Sequence, residues 1–217
     1  MVAPLRPLPP MPSRWIAFLV RTSACVFTLA AGANAQAQAQ GGEGYEHRQG
    51  FWAQAGVMAA ANRSDCTNCG DFSWDEGGAA FLRVGGTVSK YVLMGAEFYA
   101  FRQTDGEITA ADIEGVLAIA QWFPWLHLGG FLKVGIGMSH VDLFVQTLDG
   151  GSTQTSKTGL GISVGMGWDI RVTNRLSITP VINTYINAVG DLDVDPVGTA
   201  NDVLTTLLTA GVAITVH

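Results

Sequence analysis

The sequence predicts an all-β protein, an eight-stranded antiparallel up-and-down transmembrane β-barrel. Three observations carry that expectation. Apolar side chains occupy every second position over long segments. The connections alternate between tight turns and longer polar loops. Past the N-terminus, no apolar run reaches the roughly 18 residues of a membrane helix. Composition agrees: 14% of the 217 residues are charged, glycine occurs 27 times and mean hydropathy is +0.26, which is unlike a disordered chain. Lys and Arg number 12 against 18 Asp and Glu, a net charge of −6, so the basic footprint that nucleic acid requires is missing.

In chain order, residues 1–35 read as a secretory signal. Arg6 and Arg14 precede a mostly apolar stretch from Trp15 to Ala31, and Ala33-Asn34-Ala35 forms a small-x-small cleavage site. The prolines between Pro4 and Pro12 leave Met11 as an alternative start, and Cys25 offers a weaker lipoprotein alternative. Without this segment the chain loses Arg6, Arg14 and Arg21 and no acid, leaving 9 bases against 18 acids, a net of −9. Residues 36–49 are Gln, Ala and Gly with scattered charge and read as a flexible periplasmic lead-in to a barrel domain spanning residues 50–217.

Eight strands are expected at Gly50 to Asn62, Gly77 to Ser89, Tyr91 to Arg102, Ile108 to Phe123, Leu126 to Val141, Lys157 to Val172, Arg175 to Val189 and Val203 to Val216. The sixth is the clearest, with Leu160, Ile162, Val164, Met166, Trp168 and Ile170 on one face and Gly, Ser, Asp169 and Arg171 on the other. About 9 to 11 tilted residues cross a bilayer, so each is long enough. Tight turns fall around Lys90, at Pro124-Trp125 and at Thr173-Asn174. This pattern puts both termini on the short-turn, periplasmic side.

An eight-stranded barrel could instead be a water-soluble periplasmic carrier with an apolar inside. The face opposite the large apolar residues decides between them, and it carries glycine, serine and charges of both signs. Seven charges are expected there: Arg83, Glu97, Asp112, Glu114, Lys133, Asp169 and Arg171. Turned toward lipid, basic residues near the midplane would cost roughly 2–4 kcal/mol each. A narrow lumen that holds them as a paired, hydrogen-bonded network is therefore expected. Aromatics are expected as two girdles: Phe51, Trp52, Tyr91, Trp122, Phe123, Trp125 and Trp168 at the turn side, with Phe98, Phe101, Phe144 and Tyr185 at the loop side.

The stretches Phe131-Leu132-Lys133-Val134-Gly135-Ile136-Gly137 and Gly165-Met166-Gly167-Trp168-Asp169-Ile170-Arg171, followed by Leu176-Ser177-Ile178-Thr179-Pro180, resemble the small bacterial outer-membrane β-barrel family, similar to the transmembrane domain of outer membrane protein A. The resemblance covers most of residues 50–217. It implies a Gram-negative outer membrane, insertion by the barrel assembly machinery, surrounding outer-membrane lipid and lipopolysaccharide, and a monomer. One departure is the ending Thr215-Val216-His217, where such barrels usually close on an aromatic residue. The apolar phase stops at Val216, as if His217 were appended.

No cofactor or metal site is expected. Cys66 and Cys69 fall in the first long loop and suit a small disulfide in an oxidising compartment; zinc would need two more ligands. Asp191, Asp193, Asp195 and Asp202 echo a calcium loop, but Pro196 stands where the sharp turn wants glycine. In the longer connections acids such as Asp65, Asp71, Asp105 and Asp149 outnumber the two clear bases, Arg63 and Lys157. Divalent cations could bridge such loops to anionic headgroups, or the acids could simply form a solvated rim. Ser139 and His140 are adjacent and therefore face opposite ways on a strand, while His127 and His217 lie near the turns and the terminus, so nucleophilic catalysis is not expected. A structural or surface-interacting barrel with a plugged lumen is the leading reading. A narrow pore, a lipid-modifying enzyme with His140 at its outer rim and a soluble ligand-binding barrel are the alternatives.

Overall fold

The computed structural model describes residues 50–65, 74–103, 109–126, 128–146, 152–194 and 198–217. Nine strand segments follow one another: β1 (Phe51–Asp65), β2 (Asp75–Ser89), β3 (Val92–Gln103), β4 (Thr109–Trp125), β5 (Gly130–Gln146), β6 (Ser152–Trp168), β7 (Ile170–Arg171), β8 (Leu176–Val194) and β9 (Gly198–Val216). β6 and β7 are one stave interrupted at Asp169, whose amide donates to the Gly129 carbonyl at 3.0 Å. Each stave pairs antiparallel with its sequence neighbour, and β1–β9 and β6–β8 complete the circuit. The result is a closed eight-stranded up-and-down barrel with no free sheet edge.

The tight turns lie at Lys90–Tyr91, at Leu126 and Leu128–Gly129, and at residues 172–175. The second corrects the expectation of a turn at Pro124-Trp125. Proline lacks the N–H of a ladder residue, but β4 absorbs it in a bulge between Trp122 and Trp125, and the chain turns instead where Gly129 takes φ 73°. In the third turn the Thr173 hydroxyl accepts from the amides of Arg175 and Leu176 at 3.3 and 3.1 Å.

The outer wall is apolar. Val134, Ile136, Met138, Ile182 and Val212 are exposed on it, whereas Arg83, Glu97 and Lys133 are buried inside. That arrangement is the inverse of a water-soluble carrier. Trp168, Trp122, Trp125, Tyr91 and Phe98 are also exposed, but Trp52, Phe101, Phe123 and Tyr185 point inward and are buried, which corrects their assignment to the girdles. The side chain of Phe144 lies outside the described residues.

Volume explains the inward aromatics. Eight strands enclose a space just wide enough for side chains to fill, and here large groups pack against glycines. A Cβ on Gly56 would lie 2.7 Å from the Phe81 ring, and one on Gly167 2.5 Å from the Phe131 ring. One on Gly135 would lie 2.9 Å from Ile119 Cγ2. β4 shows the consequence most clearly. Its inward face is Ile113, Leu117, Ile119, Gln121 and Phe123, filling the space left by Gly135, Gly137 and Gly161 of β5 and β6.

Candidate functional site

Period two determines what meets in the lumen. Arg83 on β2 and Glu97 on β3 are directly opposed in register, and Lys133 approaches from β5. All three are buried. Arg83 Nε donates to Glu97 Oε2, and Lys133 Nζ donates to both Glu97 oxygens at 2.7 and 2.9 Å. The remaining Arg83 nitrogens reach Gln54 Oε1 at 2.7 Å and Asn183 Oδ1 at 2.9 Å. The Lys133 ammonium also sits 4.7 Å from the centroid of the Tyr185 ring, a cation–π distance. Tyr185 stacks on Tyr99 at 4.2 Å, and the Tyr99 hydroxyl donates to Asn187 Oδ1 at 2.7 Å.

A second line of bonds leaves Arg83 along the wall. Gln54 Nε2 donates to Thr215 Oγ1 at 2.8 Å, Thr215 and Thr179 hydroxyls meet at 2.8 Å, and Thr179 Oγ1 donates to Asp169 Oδ1 at 2.8 Å. The single Thr179 proton goes to Asp169, so the Thr215 hydroxyl must donate to Thr179. His217 completes this corner. Its amide donates to the Arg175 carbonyl at 3.0 Å and its Nε2 lies 3.4 Å from Asp169 Oδ2. His217 is therefore fastened to the barrel and is not an appendage to the last strand.

Of the seven charges expected inside, Arg83, Glu97, Lys133 and Asp169 are buried and Arg171 is half-buried. Asp112 and Glu114 are not inside. They sit on the outward face of β4, because the lumen there is filled by Ile113 and Leu117. Asp112 pairs with Arg102 of β3, with contacts of 3.1 and 2.9 Å.

The inversion of β4 creates a polar cluster on the outer wall that the sequence pattern hides. Along β5 the outward positions read Leu132, Val134, Ile136, Met138, His140 and Asp142. With about 3.4 Å per residue and a tilt near 40°, His140 stands roughly 20 Å above Leu132, close to the upper border of an apolar band about 25 Å tall. There Glu114 is directly opposite His140 on one side and Thr158 is opposite it on the other. His140 Nδ1 is 2.9 Å from Thr158 Oγ1, and Nε2 is 3.6 Å from Asp142 Oδ1. A hollow of about 190 Å³ lies between Glu114, Val116, Met138, His140 and Thr158. Ser139, next in sequence, is buried inside. Thr158 had no signal in its own segment; only the β5–β6 register brings it to His140.

Cys66 and Cys69 lie outside the described residues, as do Asp71, Asp105, His127, Asp149 and Asp195. The calcium-loop spacing is broken by the fold. Asp191 and Asp193 belong to β8 and Asp202 to β9, with Leu192 paired to Ala200 between them, so these residues do not form one continuous loop. Asp202 itself takes φ 54°. Among the described residues, no three His, Cys, Asp or Glu side chains are grouped to hold a metal ion.

No family model and no curated protein matches the sequence. Solved structures do. Neisserial surface protein A superposes with a TM-score of 0.51 at 17% identity, covering 79% of this chain and 99% of that one. Ail, the attachment invasion locus protein of Yersinia pestis, superposes with a TM-score of 0.54 at 13% identity, covering 77% and 99%. A second Ail structure, in complex with the heparin analogue sucrose octasulfate, gives 0.50 at 15% identity over 77% and 99%. Together with the closed circuit of staves, the apolar outer wall and the polar lumen, these likenesses identify the chain's fold as that of the small eight-stranded bacterial outer-membrane β-barrels.

Proposed function

We propose that the protein is a monomeric, non-enzymatic barrel of the bacterial outer membrane, with a plugged, charge-paired lumen, that acts structurally or through surface contacts made by its longer loops. Both termini face the periplasm, the barrel assembly machinery inserts it, and outer-membrane lipid and lipopolysaccharide surround its wall. The observation that carries the plugged reading is the Glu97 carboxylate held by both Arg83 and Lys133 in the lumen. A pore would need these side chains to part, and breaking such a buried pair costs about 3–5 kcal/mol. The surface-contact reading draws on the likeness to Ail, whose name is that of an attachment and invasion protein.

The non-enzymatic reading rests on the surroundings of Thr158, His140 and Asp142. At His140 and Asp142, β5 is paired with β4 on one side and β6 on the other, so their amides are held in ladders and are not free to stabilise an oxyanion.

Planar-bilayer recording tests the lumen: the purified barrel should insert without steady conductance. Stable single-channel steps in the wild-type protein, abolished by blocking its lumen, would replace the plug by a narrow pore.

A further inference from the structure

We propose that Lys133 and Asn183 become joined by an amide bond between their side chains, a covalent tie across the lumen that the folded barrel makes for itself. The proposal rests on the plugged lumen above and makes that plug permanent. Lys133 on β5 and Asn183 on β8 are each directly opposite Gly165 of the intervening β6. Glycine leaves that position open, and the Asn183 carboxamide leans over it: a Cβ on Gly165 would lie 2.4 Å from Asn183 Oδ1 and 3.1 Å from its Cγ. One buried ion pair also holds both side chains. Arg83 donates through Nε to Glu97 Oε2 and, from the same guanidinium, through Nη2 to Asn183 Oδ1 at 2.9 Å. Lys133 Nζ donates to that same Glu97 oxygen at 2.9 Å. Amine, proton acceptor and polarised carbonyl are thus neighbours, and rotation of the flexible lysine stem brings Nζ to Cγ at the roughly 3–3.5 Å of a reactive approach.

Each group has its part in the step. Glu97 takes a proton from the Lys133 ammonium, and the lone pair so freed attacks Asn183 Cγ to form the new C–N bond. The carbonyl electron pair moves onto Oδ1, where the Arg83 N–H stabilises it. As that pair returns, the Cγ–Nδ2 bond breaks, and Nδ2 leaves with the proton carried by Glu97. Nζ then gives up its second proton through the same carboxylate to the departing ammonia. One carboxamide and one ammonium become a secondary amide and a free ammonium ion, and Glu97 ends as it began. No oxidant or cofactor is consumed.

Charge favours this outcome. Arg83 and Lys133 are two buried cations around the one buried carboxylate of Glu97, and surplus buried charge is costly. Departure of ammonium removes the surplus. Tyr185, 4.7 Å from Nζ, and Phe81, 4.1 Å from the Arg83 guanidinium, screen the group from water that would compete as nucleophile. Only the closed barrel brings β5 and β8 to either side of β6, so the newly folded protein holds the ion pairs and the bond forms from them.

The test is mass spectrometry of the full chain refolded into lipid vesicles, sampled from the start through prolonged incubation at neutral pH. Folding is scored first, by the mobility of unboiled against boiled protein. Protease digestion should yield a branched peptide joining Lys133 to Asn183, lighter by one ammonia than its two parts, and fragmentation locates the branch. Lys133→Arg, which keeps the cation, should abolish that peptide. Glu97→Gln, which removes the proton acceptor, should slow its appearance about a hundredfold or more. Folded wild-type protein that never forms the branched peptide overturns the bond, whatever the variants do, and leaves the plugged lumen standing. A folded Glu97→Gln barrel that links at the wild-type rate overturns the mechanism. A wild-type chain that does not fold into vesicles overturns the membrane reading, and the bond with it.

Discussion

Arg83 and Asp169 are joined through three neutral side chains whose hydrogen bonds all run in one direction. Guanidinium donates to Gln54, Gln54 to Thr215, Thr215 to Thr179, and Thr179 to the Asp169 carboxylate. The chain crosses β2, β1, β9, β8 and the β6–β7 stave, and so includes the β1–β9 pairing at which the first and last strands meet. Dipoles aligned from a cation to an anion reinforce one another. The two charges help to bind the seam without touching.

This alignment predicts coupling. Thr215→Val removes two links, and Thr179→Val removes the link they share together with the bond to Asp169. Each should cost about 1–3 kcal/mol. The double variant should cost less than the sum by at least about 0.5 kcal/mol. Urea unfolding in lipid vesicles measures it; strictly additive losses would mean that the links act independently.

Glu97 and Lys133 should not be equivalent. Glu97→Ala strands two buried cations and should cost about 3–5 kcal/mol. Lys133→Met leaves Glu97 with Arg83 and places a thioether beside the Tyr185 ring, so its loss should stay near 1–2 kcal/mol. The same unfolding experiment ranks them, and equal losses would contradict the bridging role of Glu97.

The large-against-glycine packing is testable at Gly135. Its added Cβ would meet Ile119 Cγ2 and, at 2.6 Å, Ser163 Oγ. Gly135→Ala should destabilise by about 1–3 kcal/mol. Combining it with Ser163→Ala, which removes the hydroxyl nearest the added methyl, should recover part of that loss. A double variant no better than the single one would place the strain in the backbone.

Depth on the outer wall should grade the cost of charge. Val134→Arg lies mid-wall and should cost about 2–4 kcal/mol, whereas Ser156→Arg, opposite Asp142 near the upper border, should cost roughly 0–1 kcal/mol. Folding free energies in vesicles read the difference. Equal costs would mean that the apolar band is not centred on Val134.

The sequence by itself determined the strand class, the number of staves and the outward phase of β3, β5, β6 and β9, because a strict alternation such as Leu132, Val134, Ile136 and Met138 against Lys133, Gly135 and Gly137 admits only one way to face lipid. On β4 the same rule failed. Both of its faces mix apolar residues with polar ones: Asp112, Glu114, Val116 and Trp122 stand against Ile113, Leu117, Gln121 and Phe123. Only the assembled barrel decided between them, since Leu117 and Ile119 are needed to fill the space beside Gly137 and Gly135. That choice carried Asp112 and Glu114 to the outside and brought Glu114, Thr158 and His140 together from three strands. Local alternation records the two faces of a strand, but which face a closed lumen accepts is a question of volume shared among all the staves.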